Sequence, residues 1–255
     1  MKRITIVSRY AAIMLCVALT IIMSSGCVAI NFASLERGEA GVVVGSGDME
    51  SYAYNVGRFN EVRVEMLCDI EYYCAESDTV TISMQPNLKE YIVVEESGGT
   101  LTVRSTRNIS ISGKTPVLTI STPELNRLKL AGAGNFTTRD TITAESFTLS
   151  IDGAGSGRAE LDVNNLKVNI GGTGDYTLSG RADDATFEMD GAGMVDALSL
   201  QTRFSGISIS GIGTVKLSCS DRLRINADGL GTVEYIGSPS MELDSDGLVN
   251  VRKVG

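Results

Sequence analysis

The sequence predicts an all-β protein, a parallel β-helix (solenoid) with an irregular β-rich cap at its N-terminal end. Three observations carry this. Glycine is abundant at 28 residues, proline stands at 4 and tryptophan is absent, while β-branched residues and Leu recur throughout, a composition that disfavours helix. From Leu128 onward, two apolar residues spaced by two, one further residue and then Gly-x-Gly return six times. Apolar alternation resumes after each glycine pair, as in Val215-Lys216-Leu217 and Val233-Glu234-Tyr235, the mark of strands with one buried face.

Residues 1–27 read as a lipoprotein signal peptide. Lys2, Arg3 and Arg9 make a basic leader, and Ala11 to Met23 is an apolar run too short for a permanent membrane span. Ser24-Ser25-Gly26-Cys27 resembles the bacterial lipobox, with Ser24 where Leu is usual, so Cys27 is the expected lipid attachment site. Cleavage at the same small residues by an ordinary signal peptidase is the alternative, and export follows from either. Three acyl chains at ~0.8 kcal/mol per buried methylene make such an anchor effectively permanent. The expected place is the cell envelope, lipid-anchored to the outer membrane. Residues 28–48, with Gly38, Gly41, Gly45 and Gly47 and no sustained periodicity, read as a tether between membrane and domain.

Residues 49–127 are expected to form the cap and the first coils. Alternating apolar runs occur at Val62-Arg63-Val64, Ile70-Glu71-Tyr72, Val80-Thr81-Ile82, Ile92 to Glu95, Leu101-Thr102-Val103 and Val117 to Ile120. Glu96-Ser97-Gly98-Gly99 reads as a hairpin turn between two of them. A solenoid end without such a cap exposes unpaired strand edges.

Residues 128–255 carry the repeats, continuous with the cap in one domain, 49–255. The first glycines are Gly132, Gly153, Gly172, Gly191, Gly211 and Gly229, and Met241-Glu242-Leu243 followed by Gly247 is a worn seventh copy. A period near 20 means a stacked architecture. The glycines fit a corner that either needs positive φ or lets neighbouring coils approach without side chains. A stack of hairpins meets the same local signal. Connecting stretches such as Ser156 to Asn165 leave room for a third side and favour the parallel helix, with coils ~4.8 Å apart.

Several of these segments resemble the family described as putative auto-transporter adhesin, head GIN domain, which is common in lipoproteins of Bacteroidetes. They are Gly57-Arg58-Phe59-Asn60-Glu61-Val62-Arg63-Val64, Asn87-Leu88, Gly99-Thr100-Leu101 and the serial Gly-x-Gly coils. The resemblance runs from about Gly45 to the C-terminus. Members often write the coil as Ser-Gly-Ser-Gly-Asp, and here Gly172-Thr173-Gly174-Asp175 keeps the Asp. The resemblance implies a single-stranded right-handed β-helix in the cell envelope and carries over no functional residues.

Composition narrows function further. Removing residues 1–27 leaves 19 basic against 31 acidic residues, a net −12, which argues against nucleic acid as a partner. Without histidine, Ser/His/Asp and Cys/His triads and most zinc sites are excluded. No cofactor and no metal are expected. Gly171-Gly172-Thr173-Gly174-Asp175 approaches the calcium nonapeptide of β-rolls, but its Asp comes one residue early, so it reads as a glycine corner.

Asp152, Asp190 and Asp228 precede the corner glycine in alternate coils, and Asp246 precedes Gly247 in the last copy. The plain reading is turn aspartates accepting backbone N–H bonds, and the functional one a ligand ridge for a cation or glycan. A glycosidase pair is a third reading, because alternate coils lie ~9.6 Å apart against ~6.5–9.5 Å between the acids of inverting enzymes. Tyr52, Tyr54, Tyr72, Tyr73 and Tyr91 read as core and edge packing ahead of a sugar platform. Cys68, Cys74 and Cys219 stay in the mature chain, and their bonding is left open. The expected function is a non-enzymatic, membrane-anchored adhesin-like module for a glycan or an envelope protein. The alternatives are a carbohydrate-active β-helix enzyme and a purely structural envelope component.

Overall fold

A computed structural model describes residues 41–106 and 109–255, and the expected signal peptide, Cys27 and the tether as far as residue 40 lie outside the described residues. The described residues from Gly41 to Gly255 form one compact unit. Its first strands are β1 (Gly41–Val44), β2 (Glu50–Tyr54), β3 (Glu61–Val64), β4 (Asp69–Cys74), β5 (Thr79–Met84), β6 (Ile92–Ser97), β7 (Thr100–Ser105), β8 (Ile109–Ser112) and β9 (Val117–Thr122). The repeats supply β10 (Arg127–Leu130), β11 (Ala133–Thr138), β12 (Ile142–Ile151), β13 (Ala154–Ile170), β14 (Thr173–Met189) and β15 (Ala192–Ile209). They continue with β16 (Ile212–Ala227), β17 (Leu230–Ile236), β18 (Ser240–Ser245) and β19 (Leu248–Lys253).

Among β10 to β19 the pairing is parallel and steps by one repeat. Leu128 lies beside Leu149, Leu149 beside Val168, Val168 beside Phe187, Phe187 beside Ile207, Ile207 beside Ile225 and Ile225 beside Leu243. A hairpin stack has antiparallel neighbours, so this register establishes the solenoid of about 7 turns. The third side exists, with Ile142, Leu161, Gly180 and Leu200 in register. In the middle coils sides two and three are one continuous strand: β13 runs for 17 residues, from one Gly-x-Gly corner to the next.

Close approach, rather than positive φ, explains the first corner glycine. A Cβ on Gly172 would run into the carbonyl oxygen of Gly153 and lie 2.8 Å from the carbonyl carbon of Asp152. The same column of backbone contacts repeats at Gly153, Gly191, Gly211, Gly229 and Gly247. Inside the coils, glycine compensates for bulk. Phe136, Gly157 and Tyr176 occupy successive coils, and a Cβ on Gly157 would sit 2.8 Å from the Tyr176 ring. Positive φ is used where the chain reverses: β6 and β7 are joined by Gly98 and Gly99 at φ 61° and 82°, a two-residue turn within the hairpin expected at Glu96 to Gly99.

Tyr176 is 1 % exposed, yet its hydroxyl has no hydrogen-bond partner. A buried unpaired hydroxyl costs about 1–3 kcal/mol. Tyr176→Phe is therefore expected to leave stability unchanged or raise it by about 1 kcal/mol, read as a shift in the urea midpoint.

The two ends of the stack differ. β7 and β9 form the outermost N-terminal coil, pairing in parallel with β3 and β4, which in turn pair with β10 and β11. Sequence order and spatial order therefore part here. Antiparallel strands close that end: β6 lies along β7, β5 along β9, and β2 along β5. The last stretch of the expected tether is folded, because β1 pairs with β8 and two amide side chains hold it. Asn87 donates to the Val44 carbonyl at 2.9 Å and accepts from Ser46 N–H at 2.7 Å, while Gln85 donates to the Gly47 carbonyl at 3.0 Å. At the other end β18 pairs only with β16 and β19 only with β17 among the described residues, so both outer edges stay open.

Candidate binding surface

Parallel stacking places Asp152, Asp190 and Asp228 on the same corner, each exposed, with Gly171 and Ser210 in the intervening coils. They are two coils apart, ~9.6 Å along the stack. The capping role expected of them is absent among the described residues, for a local reason. The N–H groups of Asp190 and Gly191 both donate to the Ile170 carbonyl of the previous coil, at 3.0 and 2.9 Å. Asp152 with Gly153, and Asp228 with Gly229, repeat the arrangement. The corner is thus satisfied by backbone, and the carboxylates are free to project. Asp152 meets Lys129 Nζ at 2.6 Å, whereas Asp190 and Asp228 have no ion pair among the described residues. No group of three or more acids or cysteines there is arranged to hold a metal ion.

Beside this ridge the flat faces carry polar side chains joined from coil to coil. Ser156 donates to Asn135 at 2.6 Å, Lys167 meets Glu188 at 2.8 Å, Arg203 meets Asp221 at 3.2 Å and Arg224 meets Glu242 at 2.8 Å. Such exposed pairs contribute little stability, about 0–1 kcal/mol each, but they fix side-chain direction across the face. The Ser220 hydroxyl and then the Arg203 guanidinium hold the Asp221 carboxyl below its usual range, and Arg252 does the same for Glu234. A general acid needs the opposite shift.

A notch of about 510 Å³ interrupts the third side, lined by Arg181, Asp183, Gln201, Arg203, Ser218 and Ser220. It lies where β15 slips register against β16 between Ala197 and Gln201. Arg203 and Arg222 both lie over the Phe204 ring, at 5.1 and 5.6 Å. The sequence reading missed this basic spot, whose only trace was the change of period to 20 and then 18. It also missed an aliphatic column at the middle position of Gly-x-Gly, where Ile212, Leu230 and Leu248 stand in register and exposed. Ala or Thr fills that position in the earlier coils.

The tyrosines do not form one platform. Tyr72 is in the core and donates to the Thr122 carbonyl, whereas Tyr52 is bound by Glu50 at 2.8 Å and by Lys89 over its ring at 4.3 Å. The three cysteines are free thiols, Cys68 and Cys219 buried and Cys74 exposed. Burial pushes the Cys68 thiol from 9.0 up to about 12 and raises Tyr72 and Tyr176 as well. The folded state keeps these protons to higher pH than the unfolded chain does. Stability is therefore full below about pH 9 and falls as pH rises toward about 12. Urea midpoints measured from about pH 8 to about pH 11 are expected to decline, and less steeply in Cys68→Ala.

The family profile described as "Putative auto-transporter adhesin, head GIN domain" matches residues 58–239. A putative adhesin from Bacteroides fragilis shares the fold at TM-score 0.79 and 22% identity, over 83% of this chain and 100% of its own. A putative lipid binding protein from Parabacteroides distasonis follows at TM-score 0.67, 19% identity, 84% of this chain and 100% of its own. A putative adhesin from Parabacteroides merdae stands at 0.65, 19%, 85% and 100%. No curated protein matches the chain.

Proposed function

Because the chain belongs to the putative auto-transporter adhesin, head GIN domain family, we propose that it is a lipid-anchored, non-enzymatic interaction module of the outer membrane, acting through the outer faces of its solenoid. The observation that carries this is the register: like residues recur on one corner at fixed spacing, with their neighbours tied coil to coil. Repetition of weak contacts along a rigid ladder yields avidity that no single contact has. Asp152, Asp190 and Asp228 are the proposed ridge, and a glycan or an envelope protein the proposed ligand. Cys27 is the proposed lipid attachment site.

Two measurements test it. Expressed in a bacterial host, the chain is expected to incorporate labelled palmitate and lose it in Cys27→Ala; label retained in the variant removes the anchor. On an array of polysaccharides and envelope proteins, the solenoid unit is expected to bind, and the triple Asp152→Asn, Asp190→Asn, Asp228→Asn variant to bind at least about tenfold more weakly. Equal binding by that variant would move the contact away from the corner.

A further inference from the structure

The open C-terminal edge is built to be covered. Met241 is 42 %, Leu243 51 % and Leu248 77 % exposed, although Leu223 and Ile225, in register with the first two one coil earlier, are fully buried. β18 and β19 also leave one row of backbone N–H and C=O groups unpaired, a template for another strand. The N-terminal end has its antiparallel closing strands, and this end has none among the described residues.

We propose that the occupant is a second copy of this chain, joined end to end about a two-fold axis through the corner between β18 and β19. The strand directions permit it: β18 runs toward that corner and β19 away from it, so the axis lays β18 of each copy antiparallel against β19 of the other. Inward positions remain inward. Placing Gly247 on the axis, where no side chain obstructs, sets Leu243 opposite Val251 and Asp244 opposite Asn250. It also sets Glu242 opposite Arg252.

Charge selects this occupant. The outward residues of β18 include the acids Glu242 and Asp244, and the outward residue of β19 opposite Glu242 is the basic Arg252. Each edge is therefore complementary to the other edge and not to itself, which is what a two-fold interface requires. Opposite-charge and apolar cross-strand pairs contribute about 0.2–1 kcal/mol each, and like charges face to face oppose pairing. The exposed column Ile212, Leu230, Leu248 ends beside the axis and continues into the partner's column.

Sedimentation equilibrium of the solenoid unit is the test, since that unit has its own core. The wild type is expected to be dimeric, and Leu243→Arg to weaken the dimer about tenfold or more. Leu243 lies in the last coil, so the thermal midpoint of the variant monomer should stay close to wild type. In a Cys74→Ser background, Leu243→Cys and Val251→Cys proteins are expected to form a disulfide-linked dimer when mixed and not when oxidised separately. A monomer at every concentration overturns the proposal, as does a dimer that Leu243→Arg leaves intact or crosslinking that needs no mixing.

Discussion

Gly172→Ala is expected to lower stability by about 3 kcal/mol or more, whereas Gly171→Ala next to it should be neutral or slightly stabilising. The two glycines share a corner and differ in what a methyl group would meet. On Gly172 it enters the Gly153 carbonyl oxygen and crowds the Asp152 backbone, and neither can move without parting two coils whose ladder hydrogen bonds run on both sides. On Gly171 the nearest atom is Asp152 Oδ1 at 3.7 Å, ordinary contact with a movable side chain. Alanine there also restricts the unfolded chain, which is the origin of the expected gain of about 0.4–1 kcal/mol. Urea denaturation of the pair is a decisive comparison, because propensity alone predicts the same sign for both. Equal, small effects would mean that coil spacing adjusts freely and that the corner glycines do not set the stack.

Phe187→Ala should cost about 3–5 kcal/mol. Phe187 is 1 % exposed and stands in the inward column between Val168 and Ile207, so its ring is clamped by the coils above and below. Removing it leaves a cavity that those coils cannot close without bending two parallel ladders. The loss should appear as a lower thermal midpoint with an unchanged denaturant slope, since the surface exposed on unfolding is nearly the same. A much smaller loss would indicate that the column collapses, and an altered slope that the coils unfold in parts.

The repeat region was legible because its periodicity carries the physics directly. Alternation in Leu149-Ser150-Ile151 marks the inward face, and the next glycine marks the corner where backbones touch. The reason for that glycine was legible only as a pair of options, and the contacts decided for close approach. The N-terminal segment was legible strand by strand but not in its order. β3 and β4 pair with β10 and β11 across more than sixty residues of chain, a long-range choice that no local pattern encodes. β1 escaped notice because Gly41-Val42-Val43-Val44 has no alternation, and its place depends on amides at Gln85 and Asn87, far along the chain.

At the surface, the position of the aspartate row was legible but its chemistry was not. Acidic turn residues imply capping until the carbonyls of the preceding coil are seen to take the corner N–H groups. The notch beside Arg203 arises from a register slip between β15 and β16, which a near-constant period conceals.

Polysaccharide captured by the solenoid unit, analysed by mass spectrometry for chain length before and after incubation, tests the central claim most directly. The account predicts capture through the repeated faces with chain length unchanged. Shortened products that disappear when Asp152, Asp190 and Asp228 are replaced by Asn would contradict it and make the ridge a catalytic one.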